Sequence, residues 1–70
     1  MNNHAKLKKV AGLVHSLEEE LNVLESAHRI QFDTTASLKD KLIASKEARS
    51  ALTKARRVCR DISNTLVEPD

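Results

Sequence analysis

The apolar positions in the first half of the chain recur with a helical period. Leu7, Val10, Val14, Leu17, Leu21 and Leu24 are spaced 3, 4, 3, 4 and 3 residues apart. That is the heptad seam of an amphipathic helix packing against other helices. Beyond Leu24 the seam runs into His28 and Gln31, while Val23, Ala27 and Ile30 carry apolarity onto the adjacent face. A second stripe passes through Leu38, Leu42, Ser45, Ala48, Leu52, Ala55, Cys59, Ile62 and Leu66. Its middle is lined by Ser45, Ala48, Ala51 and Ala55, small enough for a partner helix to approach towards the ~8 Å end of the usual interaxial range.

Asp33-Thr34-Thr35-Ala36-Ser37 separates the stripes. Asp, Thr and Ser compete with the helix for backbone hydrogen bonds in its interior and cap its N-terminus well. Ser37 followed by Asp40 has capping-box spacing, with Asp33 as the other candidate cap. The pattern predicts a helix over 5–32, a connection over 33–37, a helix over 38–66 and a frayed tail over 67–70. Both helices would be roughly 40–45 Å long at about 1.5 Å per residue. Matched lengths and a short connection suit an all-α, antiparallel two-helix hairpin in a single domain, 1–70. The alternative is one long helix or coiled coil, because Leu38 and Leu42 share the heptad register of Leu7.

Composition sharpens the picture. Seventy residues with one Phe, no Trp, no Tyr, one Gly, one Pro and one Cys leave little material for β-turns or strands. A chain this short rarely stands on one core without disulfides, metal or oligomerisation, and a lone Cys forms no internal disulfide. Each helix offers one stripe, and pairing them leaves Leu13, Val23, Ile30, Ile43 and Val58 wet. A homodimer forming a four-helix arrangement, or docking onto a helical protein partner, would cover the remainder. The expected association interface is Leu7, Val10, Val14, Leu17, Leu21, Leu24, Leu38, Leu42, Ala48, Leu52, Ala55, Cys59, Ile62 and Leu66. No apolar run approaches the ~20 residues of a membrane span, and the N-terminus has no apolar signal core. With a free thiol suited to a reducing compartment, the expected location is cytoplasmic.

Charge is unevenly distributed. The net charge is +2, but 5–37 carries four basic residues against five acidic, whereas 38–64 carries eight against three. Lys46, Arg49, Lys54, Arg56, Arg57 and Arg60 form a ridge on the second helix. Guanidinium forks in a row suit phosphate oxygens, which makes these six the candidate nucleic-acid contacts. No aromatic side chain is available there to stack on bases.

Other chemistry does not assemble. A hairpin folded near residue 35 would pair position i with about 70 − i, placing Cys59 near Val10 and Ala11, and His28 near Lys41 and Leu42. No ligand set with metal spacing results. His4 falls in a fraying terminus and His15 on the solvent side. His28 occupies a seam position, where a polar residue can fix register and protonation below about pH 6.5 can loosen an interface. Glu18-Glu19-Glu20 points three ways from a helix and reads as a solvated face. No catalytic residue, metal, cofactor or small-molecule substrate is expected, and the chain is read as a non-enzyme.

The segment Lys8-Lys9-Val10-Ala11-Gly12-Leu13-Val14-His15-Ser16-Leu17-Glu18-Glu19-Glu20-Leu21 resembles the start of small bacterial linker-histone-like nucleoid proteins. The stretch from Ala48 to Ile62, with Lys54, Arg56, Arg57 and Arg60, resembles the basic second helix of that family. The connection here is about a dozen residues longer, and residues 63–70 are not the Lys/Ala/Pro-rich tail of that family. The resemblance implies a helical hairpin that associates and compacts DNA through its second helix, which would place it on the nucleoid. Two functions are therefore carried forward. The first is a protein–protein association module, self-assembling or capping a partner's helix in the manner of a chaperone or adaptor. The second is a small histone-like DNA-binding protein.

Overall fold

The computed structural model describes residues 3–69, Asn3 through its backbone alone. Two helices, α1 (Asn3–Gln31) and α2 (Leu38–Val67), fold back on each other as an antiparallel hairpin 55 × 14 × 12 Å in extent. The continuous helix is thus excluded: the chain breaks at 32–37 and the two arms pack along their length. Val67, the first residue of the expected tail, still belongs to α2; Asp70, its last, lies outside the described residues.

Local chemistry sets these ends. Ser37 caps α2 in extended backbone, its Oγ accepting from the Asp40 N–H at 3.1 Å. Asp33 does a different job: its Oδ1 accepts from the Thr35 N–H at 2.9 Å and the Thr35 hydroxyl at 2.6 Å, folding the connection on itself. Those bonds favour the carboxylate and hold the Asp33 pKa below its ordinary value. Its contribution to the turn is complete above the ordinary aspartate range and is lost as pH falls through the lowered value. No described residue has positive φ, so the turn closes without glycine. At the other end Pro69 disfavours helical backbone in Glu68, which sits extended at φ −63°, ψ 136°.

The seam between the helices is a heptad on each arm. On α1 the less exposed positions are Lys6, Val10, Leu13, Leu17, Glu20, Leu24, Ala27 and Gln31. On α2 they are Lys41, Ala44, Ala48, Ala51, Ala55, Val58, Ile62 and Thr65, with Ser45 beside them. Among the described residues the buried ones are small: Ala27, Ala44, Ala51, Ala55 and Thr65. Thr65 satisfies its hydroxyl by donating to the Asp61 carbonyl at 2.7 Å. Alanines against aliphatic side chains allow the close approach that the second stripe implies, and the core is correspondingly thin.

The arms pair about six residues further along α2 than a fold point at 35 implies. The Gln31 side chain donates to Ser45 Oγ at 2.9 Å, and Lys9 meets Glu68 at 3.8 Å near the termini. The first turns of α2 therefore project past the end of α1. The connection lies against them, with Asp33 and Ala36 sharing a shallow depression with Asp40, Ile43 and Ala44. In this register Cys59 stands level with Leu17 and His28 level with Ala48, not beside Val10 or Lys41.

Gly12 lies on the outward side of α1, and a Cβ there would meet nothing within 4 Å. Its helix tolerates it at a cost of about 0.5–1 kcal/mol relative to alanine. Gly12→Ala is expected to raise the thermal midpoint by a few degrees, read by circular dichroism, without altering any contact.

Candidate functional site

Each helix presents a wider apolar band than its partner can cover. The seam uses Lys6, Leu13, Glu20 and Ala27 where the sequence pattern suggested Leu7, Val14, Leu21 and His28. On α2 it uses Ala44, Ala51, Val58 and Thr65 instead of Ser45, Leu52, Cys59 and Leu66. Pairing has rotated each helix by about one residue, which on α2 brings the small residues Ala44, Ala51 and Thr65 inward. The expected interface set is thereby divided. Val10, Leu17, Leu24, Ala48, Ala55 and Ile62 lie in the seam. Leu7, Val14, Leu21, Leu38, Leu42, Leu52, Cys59 and Leu66 are exposed.

The exposed group forms one face. In an antiparallel pair, the positions that follow the seam on one helix lie on the same side as the positions that follow it on the other. Leu7, Val14, Leu21 and His28 each follow a seam residue of α1; Ser45, Leu52, Cys59 and Leu66 do the same on α2. The Gln31–Ser45 hydrogen bond closes this side near the connection. Phe32, Leu38 and Leu42 widen it there, exposed by 74%, 75% and 58% respectively. His28 stacks on Phe32, with ring centroids 4.6 Å apart and a 54° tilt. His28 is therefore an exposed member of this face and not a seam residue.

The opposite side is polar and partly paired. Lys9 and Glu68 pair there, and Lys6 Nζ donates to the Glu68 carbonyl. Asp40, Glu47, Lys54 and Asp61 line the α2 edge, with Val23, Ile30 and Ile43 as apolar interruptions. Leu13 and Val58, expected to stay wet, are half-buried in the seam, because the rotation that exposes Leu21 and Leu52 turns them inward.

The six candidate phosphate-binding cations, Lys46, Arg49, Lys54, Arg56, Arg57 and Arg60, are all exposed. None makes an ion pair within the chain among the described residues. They do not form a single row: Arg49 and Arg56 border the apolar face, Lys46, Arg57 and Arg60 occupy the back of α2, and Lys54 faces the polar side. The carboxylate run is also divided, with Glu18 and Glu19 exposed and Glu20 half-buried at the seam. Glu19 pairs with His15 at 2.9 Å and Glu25 with Arg29 at 2.7 Å, both one helical turn apart. Among the described residues no group of His, Cys, Asp or Glu is placed to hold a metal ion. No helix of the described residues is long and apolar enough to cross a membrane.

No protein-family model matches the chain, and no curated protein or solved structure matches it.

Proposed function

We propose that this chain is a non-enzymatic association module whose working surface is the apolar face of the hairpin. The observation that carries this reading is the row of large side chains left outside the seam: Leu7, Val14, Leu21, Leu52 and Leu66, joined by Phe32, Leu38 and Leu42 at the connection end. A contiguous apolar strip rimmed by charge marks a protein interaction surface. Its helical spacing suits helices laid alongside, which bury i, i+3, i+4 and i+7 side chains. The thin seam supplies the physical motive, since Leu7, Val14, Leu21, Leu52 and Leu66 remain outside it for a second contact.

Site-specific photo-crosslinking in cells tests the reading. Probes at positions 21 and 52 should give discrete protein adducts, and a probe at position 57 should not. Adducts arising from position 57 alone would overturn it.

A second reading, DNA binding through α2, is favoured by the six exposed and internally unpaired cations. It requires duplex binding that weakens steeply with salt, by about one counterion per phosphate contacted. It also requires that Arg56→Ala, Arg57→Ala and Arg60→Ala together abolish the mobility shift at about 50 mM salt. Binding that survives those substitutions would eliminate it.

A further inference from the structure

The apolar face is bordered by charges of opposite sign on its two edges. Glu18 lies between Val14 and Leu21 on the outer edge of α1, and Glu25 lies between Leu21 and His28. Arg49 and Arg56 flank Leu52 on the outer edge of α2. All four are exposed. Among the described residues Glu18, Arg49 and Arg56 have no ion-pair partner, and Glu25 holds the exposed Arg29, a pair easily exchanged.

The heights of these charges match across the face. The pairing of Gln31 with Ser45 and of Lys9 with Glu68 sets Arg56 level with Glu20 and Arg49 level with Ala27. Each arginine therefore stands about two residues, roughly 3 Å along the axis, from the height of one glutamate on the opposite edge. Within one hairpin the full width of the face separates them.

We propose that the occupant of this face is a second copy of the chain, stacked about a two-fold axis parallel to the helices to form an all-antiparallel four-helix bundle. The proposal rests on the association reading above and names its partner. Rotation about such an axis lays α1 of one copy over α2 of the other and leaves every height unchanged. The acidic edge of each copy then meets the basic edge of the other: Glu18 opposite Arg56 and Glu25 opposite Arg49, each pair occurring twice. The same operation sets Leu21 against Leu52, Leu7 against Leu66 and Phe32 against Leu42. Closure is isologous and adds no further copies. The competing two-fold, perpendicular to the helices, stacks α1 on α1 and α2 on α2. It drives glutamate against glutamate and arginine against arginine, which the edge charges disfavour.

Sedimentation equilibrium of the full chain at low salt, with helicity checked by circular dichroism, tests both partner and arrangement. The wild-type chain should be a dimer. The Glu18→Arg, Glu25→Arg chain and the Arg49→Glu, Arg56→Glu chain should each dissociate at least tenfold more readily. The chain carrying all four reversals should recover wild-type affinity, which also shows that the positions tolerate substitution. A wild-type monomer at every concentration overturns the second copy as occupant; discrete crosslinks from positions 21 and 52 to another protein would still leave the association reading standing. A dimer unmoved by either two-residue reversal overturns the parallel-axis arrangement, since the perpendicular arrangement merely exchanges one like-charge edge for another.

Discussion

Ala51→Leu is expected to lower the thermal midpoint of the hairpin by roughly 5–20 °C at every protein concentration. Ala51 is 2% exposed, with Ala55 buried one helical turn after it and Ala44 two turns before. Three added heavy atoms have nowhere to go unless the helices separate. Overpacking of a closed seam costs typically ~1–3 kcal/mol. For a chain of this size each kcal/mol moves the midpoint by about 4–8 °C. Thermal melts followed by circular dichroism at two concentrations differing a hundredfold provide the measurement. An unchanged midpoint would mean that the alanines do not form the seam, and the division of the apolar band into seam and face would fail with it.

That division is the part of the molecule the sequence stated least clearly. Two helices, their lengths and the break between them were legible, because heptad spacing and the Asp33–Ser37 cluster are local signals. Ser37 as cap is confirmed by its hydrogen bond to Asp40; Asp33 had the right chemistry for a cap and spends it on Thr35 instead. The orientation of each helix was not legible in the same way. An apolar band three heptad positions wide contains two seams, offset by one residue, and ranking by side-chain size selects the Leu-rich one. Size is a measure of burial benefit per residue, whereas close approach of two helices rewards small residues. Ala44, Ala51 and Ala27 therefore entered the seam beside Ala55, and Ser45, Leu52 and His28 were displaced from it. Runs of small residues such as Ala44, Ala48, Ala51 and Ala55, themselves at heptad spacing, were the available signal.

The register was hidden for a related reason. Counting outward from the midpoint of a turn assumes that the connection spends no length along the bundle axis. Here Asp33 and Ala36 lie against the first turns of α2, so the pairing slips by about six residues. The slip has chemical consequences. It moves His28 and Cys59 away from their expected neighbours, and it brings the glutamate and arginine edges to matching heights.

Replacing Leu21 and Leu52 together by alanine should weaken association by about three orders of magnitude while preserving the helix-forming tendency of both arms. The two side chains are 48% and 41% exposed in the hairpin, so about half of the ~1.5–3 kcal/mol of burying a leucine remains to be gained on association. In a two-fold assembly each substitution occurs twice, and four losses of about 1 kcal/mol correspond to roughly a thousandfold in dissociation constant. Sedimentation equilibrium should show the fall from dimer to monomer, and the thermal midpoint should cease to rise with concentration. An unaltered dissociation constant would place the interface elsewhere, with the polar side bearing Val23, Ile30 and Ile43 the next surface to probe. Because Ala51 and Leu52 are adjacent in sequence, the pair of experiments separates two roles that one helix turn holds side by side. Ala51 closes the hairpin whatever the concentration. Leu52 faces outward, and its contribution appears only once a second surface covers it.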